Sequence, residues 1–396
     1  SAITTAGMFL GALVGGIIGD KTGRRNAFIL YEAIHIASMV VGAFSPNMDF
    51  LIACRFVMGV GLGALLVTLF AGFTEYMPGR NRGTWSSRVS FIGNWSYPLC
   101  SLIAMGLTPL ISAEWNWRVQ LLIPAILSLI ATALAWRYFP ESPRWLESRG
   151  RYQEAEKVMR SIEEGVIRQT GKPLPPVVIA DDGKAPQAVP YSTLLTGVLL
   201  KRVILGSCVL IAMNVVQYTL INWLPTIFMT QGINLKDSIV LNTMSMFGAP
   251  FGIFIAMLVM DKIPRKTMGV GLLILIAVLG YIYSLQTSML LITLIGFFLI
   301  TFVYMYVCYA SAVYVPEIWP TEAKLRGSGL ANAVGRISGI AAPYAVAVLL
   351  SSYGVTGVFI LLGAVSIIVA IAIATIGIET KGVSVESLSI DAVANK

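Results

Sequence analysis

The stretch Gly16-Ile17-Ile18-Gly19-Asp20-Lys21-Thr22-Gly23-Arg24-Arg25 joins two apolar runs through a charged turn. Asp261-Lys262-Ile263-Pro264-Arg265-Lys266 repeats its charged part at an offset of 241 residues. Glu75, Pro78, Arg82 and Gly83 recur as Glu317, Pro320, Arg326 and Gly327 at offsets of 242 to 244, and Pro140-Glu141-Ser142 is echoed by Ile378-Glu379-Thr380. Three matches in order at nearly one spacing mark an internal duplication. The apolar run at 203–229 precedes the second Asp-Lys turn, and its counterpart would fall before Ser1. The repeat therefore predicts a six-plus-six plan whose first helix is missing from this chain.

The composition sets the medium. Of 396 residues 56% are hydrophobic and 12% charged, and the mean hydropathy is +0.78. Soluble globular proteins carry about 25% charged residues, so an ordinary soluble enzyme is excluded. Eleven apolar segments of spanning length can be read, at about 2–18, 27–45, 50–74, 84–111, 118–138, 203–229, 238–259, 267–284, 289–315, 327–350 and 355–377. Hydrocarbon offers no water to satisfy backbone groups, so these runs must be helices. The short alternating strands of an outer-membrane barrel do not occur. The four cysteines (Cys54, Cys100, Cys208, Cys308) form no CxxC pair and His35 is the single histidine, so neither a metal site nor a disulfide framework is indicated.

The net charge of +8 sits on one side. Alternate loops hold eleven basic residues (Lys21, Arg24, Arg25, Arg80, Arg82, Arg88, Lys262, Arg265, Lys266, Lys324, Arg326) and the opposite loops hold two, Arg118 and Lys236. The richer side is expected to be cytoplasmic, together with the polar stretch after residue 140 and the tail. The expected organisation is a first bundle at 1–139, a central loop at 140–202 with short amphipathic helices and a linker from Pro173 to Pro190, a second bundle at 203–378, and a tail at 379–396.

The turn Gly16-x-x-x-Asp20-Lys21-x-Gly23-Arg24-Arg25 resembles the loop motif of the major facilitator superfamily. Its sugar porter and organic-ion transporter branches are resembled by Arg55-Phe56-x-x-Gly59-x-Gly61-x-Gly63, Glu75-x-x-Pro78-x-Arg80-x-Arg82-Gly83, Pro140-Glu141-Ser142-Pro143-Arg144-Trp145-Leu146, Pro316-Glu317-Ile318-Trp319-Pro320-Thr321-Glu322 and Glu379-Thr380-Lys381-Gly382. The resemblance covers nearly the whole chain. It implies an all-α membrane protein of the major facilitator fold, two six-helix bundles of which helices 2 to 12 are present. The implied function is secondary active transport of a small metabolite by alternating access. The sugar porters' glutamine pair and Gly-Ile-Asn are not reproduced in Asn214-Val215-Val216-Gln217-Tyr218-Thr219-Leu220-Ile221-Asn222-Trp223, and Pro264 replaces a glycine. Gly335-Arg336-Ile337-Ser338-Gly339-Ile340-Ala341-Ala342-Pro343 resembles organic-ion carriers, where the residue seven before the proline faces the cavity and is often arginine in anion carriers.

Arg336 falls near the middle of its span, where a charge is functional by default, and an arginine fork suits a carboxylate. A small organic anion is therefore the expected cargo, with a structural ion pair as the alternative role of Arg336. Gln217, Asn222, Trp223, Asn94, Trp95, Tyr218, Tyr304 and Asn332 are further candidate cargo residues, with Tyr306 and Tyr309 nearby in sequence. Polar and aromatic groups together are what a small-molecule site requires, although many such residues only pack. The resemblance implies that Arg55 pairs with an aspartate on the first helix in proton coupling. Glu32, Glu75, Asp261 and Glu317 are read as lying near cytoplasmic helix ends. Asp20, Arg24, Arg25, Glu75, Arg82, Asp261, Arg265, Glu317 and Arg326 are read as a charge network that biases conformational change. Gly7, Gly11, Gly15 and Gly19 form a smooth stripe, read either as a sliding surface against the helix of Gly335 and Gly339 or as tight packing. His35 is read as a packing residue.

No HExxH, GxSxG or P-loop sequence occurs, so neither an enzyme nor ATP coupling is expected. The expected partners are the cargo, a proton and the bilayer, for a monomer without cofactor, metal or nucleic acid. Basic inner loops and short outer loops point to a bacterial inner membrane. A sugar or organic-cation carrier of the same fold, or a non-transporting receptor, stands as the alternative.

Overall fold

The computed structural model describes residues 2–76, 82–171, 173–174, 191–230, 232–260, 262–286, 288–319 and 323–380. Among these residues every regular element is helical. The helices are α1 (Ala2–Thr22), α2 (Arg24–Ala43), α3 (Met48–Tyr76), α4 (Arg82–Asn94), α5 (Ser96–Leu107), α6 (Ala113–Tyr138), α7 (Pro143–Ser148), α8 (Tyr152–Thr170) and α9 (Tyr191–Leu194). They continue as α10 (Gly197–Thr230), α11 (Leu235–Met246), α12 (Gly248–Val259), α13 (Arg265–Ser284), α14 (Met289–Cys308), a π-helical turn at Tyr309–Tyr314, α15 (Val315–Glu317) and α16 (Lys324–Ile376).

All eleven expected spans fall on helices, and among the described residues eight helices are long and apolar enough to cross a membrane. The last two spans run together in α16 across a kink at Gly354, the first contributes only the shorter apolar stretch Ala2–Gly15, and the fourth, broken into α4 and α5, is too polar over α4 to be counted. That break has a simple cause. Pro98 lacks the N–H that would bond the carbonyl of residue 94, and α4 ends at Asn94. The same device acts at Pro250, which has no N–H to offer the carbonyl of Met246 where α11 gives way to α12.

The chain forms two compact units, residues 3–82 with 113–185, and residues 1–2 and 83–112 with 186–396. Residues 83–112 precede the central loop in sequence yet pack with the helices that follow it. Phe91 meets Phe254, Trp95 meets Phe247 (6.3 Å between ring centroids), Tyr97 meets Tyr304, and the Asn242 amide donates to Ser101 Oγ at 3.3 Å.

The duplication is repeated contact by contact within the two units. A Cβ on Gly7 would press into the Phe56 carbonyl and one on Gly11 into that of Val60. At the offset of 241, a Cβ on Gly248 would meet the Phe297 carbonyl and one on Gly252 that of Thr301. The stripe in α1 is thus a seat for α3, which answers with its own Gly59 and Gly63 against Thr4 and Met8. Gly335 and Gly339 instead face Leu210, Asn214 and Tyr218 of α10. In this structure Gly7 and Gly11 pack tightly against backbone of α3, and Gly335 and Gly339 against side chains of α10, each row within its own unit.

The expected amphipathic helices of the central loop are α7 and α8. Ser142 caps α7 by accepting from the Trp145 N–H at 3.3 Å, and Pro143 follows it at the first turn. Trp145, Leu146, Ala155 and Val158 hold the pair together. Most of the expected linker, residues 175–190, lies outside the described residues.

The packing of the two glycine rows predicts that Gly11→Ala and Gly252→Ala each lower the melting temperature of the detergent-solubilised protein. Overpacking a close contact costs about 1–3 kcal/mol. Exposed Gly93→Ala serves as the control, since a Cβ at that position would meet no atom within 4 Å.

Candidate functional site

The charge clusters are built on glutamates that the sequence reading treated only as motif residues. The Arg24 N–H donates to Glu141 Oε1 at 2.7 Å, and the Arg25 N–H lies 3.3 Å from each oxygen of the same carboxylate. In the other unit the Arg265 N–H donates to Glu379 Oε1 at 2.8 Å and the Lys266 N–H to Glu379 Oε2 at 3.1 Å. Each carboxylate satisfies the orphan donors at the start of a helix and sits where the helix dipole favours negative charge. Gly23, at φ 95, turns the chain into α2, whereas Pro264 makes the equivalent turn into α13 at φ −56. Replacing the glycine therefore changes the turn and not the capping.

Arg265 completes the second cluster. Only 5% of it is exposed, and its guanidinium forks onto Glu317 at 3.1 and 3.2 Å. It also donates to the Met260 carbonyl. Thr380 Oγ1 donates to Glu317 Oε2 at 2.6 Å, and the Tyr314 hydroxyl donates to the Ile378 carbonyl and accepts from its N–H. Arg25 donates to the Trp136 carbonyl and lies over the Trp136 ring. Of the other expected network members, Asp261 lies outside the described residues, as do the side chains of Asp20, Glu75, Arg82 and Arg326.

The expected cargo residues all belong to the unit containing residues 83–112 and 186–396. Gln217 and Tyr218 of α10, Tyr304 of α14 and Tyr97 of α5 come together. The Tyr97 and Tyr304 rings are 5.1 Å apart, and the Gln217 side chain is within reach of both phenols. Tyr304 is enclosed, and its hydroxyl has no well-formed hydrogen bond among the described residues. Around it Tyr97, Gln217 and Tyr218 are each half-buried, so part of each side chain remains accessible. Tyr97 was not singled out in the sequence, because its helix gave no sign of which aromatic would turn towards α10. Asn242 was missed as well: its amide reaches Ser101 while its Oδ1 is enclosed without a partner among the described residues. An asparagine inside an apolar span was the available signal.

The remaining candidates are dispersed. Asn94, Asn222 and Asn332 each donate the side-chain amide to the carbonyl four residues back, on Ser90, Tyr218 and Ser328. Trp95 is 41% exposed and packs edge-on against Phe91 and Phe247. Trp223 is half-buried against the core of its unit. Buried Tyr306 donates to the Val209 carbonyl, and Tyr309 stacks on Tyr314.

Arg336 is half-buried on α16 and makes no hydrogen bond or ion pair among the described residues. It lies 12 residues beyond Lys324, or ~18 Å along the helix. Gly335 and Gly339, on either side of it, seat this helix against the Asn214–Tyr218 turn of α10. In the other unit Arg55 is exposed, again with no such partner among the described residues. Glu32 departs from its expected place near a helix end: α2 begins at Arg24, which sets Glu32 eight residues inside, where only 7% of it is exposed. His35 is half-buried, its Nδ1 3.4 Å from the Met58 carbonyl.

A cavity of about 1080 Å³ opens in the unit of residues 3–82 and 113–185, with Arg25, Arg137, Arg151 and Lys157 among its walls. It contains none of the residues around Gln217 and belongs to the charged end of that unit.

Residues 1–392 match the model of the family described as sugar (and other) transporter. The chain is 44% identical over 394 residues to the inner membrane metabolite transport protein YdjE of Escherichia coli, covering 98% of this chain and 86% of that protein. It is 26% identical over 385 residues to the niacin transporter NiaP of Acinetobacter baylyi, covering 97% and 85%. Among solved structures it is similar to the E. coli xylose transporter XylE in a partially occluded inward-open conformation, with a TM-score of 0.76 at 18% identity over 97% of this chain and 87% of that one. XylE is described as a proton:xylose symporter in a second structure, which matches with a TM-score of 0.70 at 19% identity over 98% and 87%.

The paired arginine of the second cluster carries a direct prediction. Breaking a buried ion pair costs about 3–5 kcal/mol, and the partial exposure of Glu317 puts its loss at the low end. Glu317→Ala should therefore lower the melting temperature well below that of Glu154→Ala, whose pair with Arg151 is exposed.

Proposed function

The chain belongs to the sugar (and other) transporter family of the major facilitator superfamily, and on that premise we propose that it carries a small organic anion across a bacterial inner membrane in symport with protons. It is a multi-pass membrane protein and a secondary transporter, not an enzyme. The choice of cargo rests on Arg336. Its guanidinium has no carboxylate mate among the described residues, and a charge in a span is costly unless it meets water or a counter-ion. An incoming carboxylate supplies that counter-ion through two parallel hydrogen bonds. Tyr97, Gln217 and Tyr218 add hydroxyl and amide groups beside aromatic faces, suited to the remainder of a small carboxylate such as niacin.

The test is uptake into proteoliposomes of niacin, xylose and a quaternary ammonium ion, each offered separately. The anion reading expects uptake of the carboxylate alone. It also expects Arg336→Ala to reduce that uptake about 10- to 100-fold, because a hydrogen bond to a charged group is worth about 1.5–3 kcal/mol. Uptake of xylose that ignores Arg336→Ala would remove the reading.

Proton coupling is supported by the likeness to a proton symporter and by Arg55, exposed and free of any partner among the described residues. A protonophore that collapses the gradient should then abolish accumulation while leaving exchange of cargo for cargo intact. The glutamate-capped clusters are read as the charges that bias the alternation. The central loop and the C-terminus are read as cytoplasmic, a reading supported by the excess of basic residues in the loops on that side.

A further inference from the structure

Glu32 takes part in neither charge cluster nor the candidate cargo site. It lies eight residues along α2, ~12 Å from the basic turn and well inside a span. Its Oε2 is enclosed with no hydrogen-bond partner among the described residues.

The packing register shows what faces it. On α3, Gly61 lies against the backbone of Tyr31 and His35, which sets Glu32 level with Gly61-Leu62-Gly63-Ala64-Leu65. Leu62, Ala64 and Leu65 join Ala27, Tyr31, Ile18 and Phe28 in one apolar cluster. On α6, Arg118 donates to the Ala43 carbonyl and Phe139 packs on Phe28, so the stretch between them is level with Glu32, and its residues 121–136 hold no ionisable side chain. On α1, the Tyr31 hydroxyl donates to the Gly15 carbonyl. The titratable groups of these elements lie elsewhere: Asp20 and Lys21 at one end of α1, Asp49, Cys54, Arg55 and Glu75 towards the ends of α3, and Glu114, Arg118, Arg137 and Tyr138 at the ends of α6. On α2 itself the neighbours are Tyr31 and His35, and His35 turns to Met58.

A buried carboxylate with no cation at its level among the described residues is far more costly than the neutral acid. We propose that Glu32 is a proton-binding site of the transport cycle, protonated in the conformation that encloses it and emptied in the conformation that opens it to water. Proton binding then favours the enclosing state by linkage. The carboxylate takes one proton from water, forming a single O–H bond, and returns it to water, with no other bond changed. The inference rests on the proton-symport reading above and adds a second group to it besides Arg55.

The experiment compares wild type, Glu32→Gln and Glu32→Asp in proteoliposomes. Infrared spectra over a pH series use the proton itself as probe. Wild type should show a protonated-carboxyl band that disappears at high pH and is missing in Glu32→Gln. Under an imposed gradient of one pH unit, wild type should accumulate niacin about tenfold per coupled proton. Glu32→Gln should accumulate none while keeping exchange within about twofold of wild type, and Glu32→Asp should restore accumulation. Identical spectra for wild type and Glu32→Gln, or accumulation that persists in Glu32→Gln, overturns the assignment of Glu32. A wild type that exchanges niacin but never accumulates it overturns the symport reading and this inference with it.

Discussion

A charge inside a span must be paired, neutralised or wetted, and the described charges of this protein sort by which of the three they receive. Arg265 is paired: Glu317 takes its guanidinium and Glu379 takes the N–H of its backbone. Glu141 gives Arg24 and Arg25 the same backbone service in the other unit. Glu32 is enclosed without a partner among the described residues, whereas Arg336 is half-buried and Arg55 exposed, each again without a partner among those residues. The paired charges hold helix ends in place, and the unpaired ones are where an ion or a substrate can change the balance between conformations.

The backbone imposes the second constraint. With no water to satisfy it, the chain tolerates few breaks in its spanning helices, and prolines set two of them, before Pro98 and before Pro250. These breaks bring Trp95 against Phe247 and leave Tyr97 beside Tyr304 and Gln217. A discontinuous helix is a common way for a transporter to present a site at mid-depth. Glycines impose the complementary geometry, since helices meet closely where Gly7, Gly11, Gly248 and Gly252 leave room for a facing carbonyl.

Much of the fold was legible in the sequence because its signals are strong and local. Apolar runs of spanning length, basic loops and a duplicated Asp-Lys turn require only counting, and the offset of 241 reappears as matching glycine contacts. The candidate site was legible in part. Gln217, Tyr218 and Tyr304 stood out as polar or aromatic groups in mid-helix and do come together. Asn94, Asn222 and Asn332 stood out equally, yet their amides turn back on their own helices. Tyr97 and Asn242 went unread because both depend on residues 83–112 packing with helices more than 100 positions later. The stripe of Gly7, Gly11, Gly15 and Gly19 announced a close neighbour without naming it.

Residue order alone therefore determined the medium, the helices, the duplication and the side on which positive charge gathers, because these follow from transfer energies and periodicity along the chain. Which buried charge has a partner, which amide faces a neighbour and how deep Glu32 lies were decided only by tertiary structure. Those properties depend on distances between segments far apart in the chain, and no local pattern records such distances.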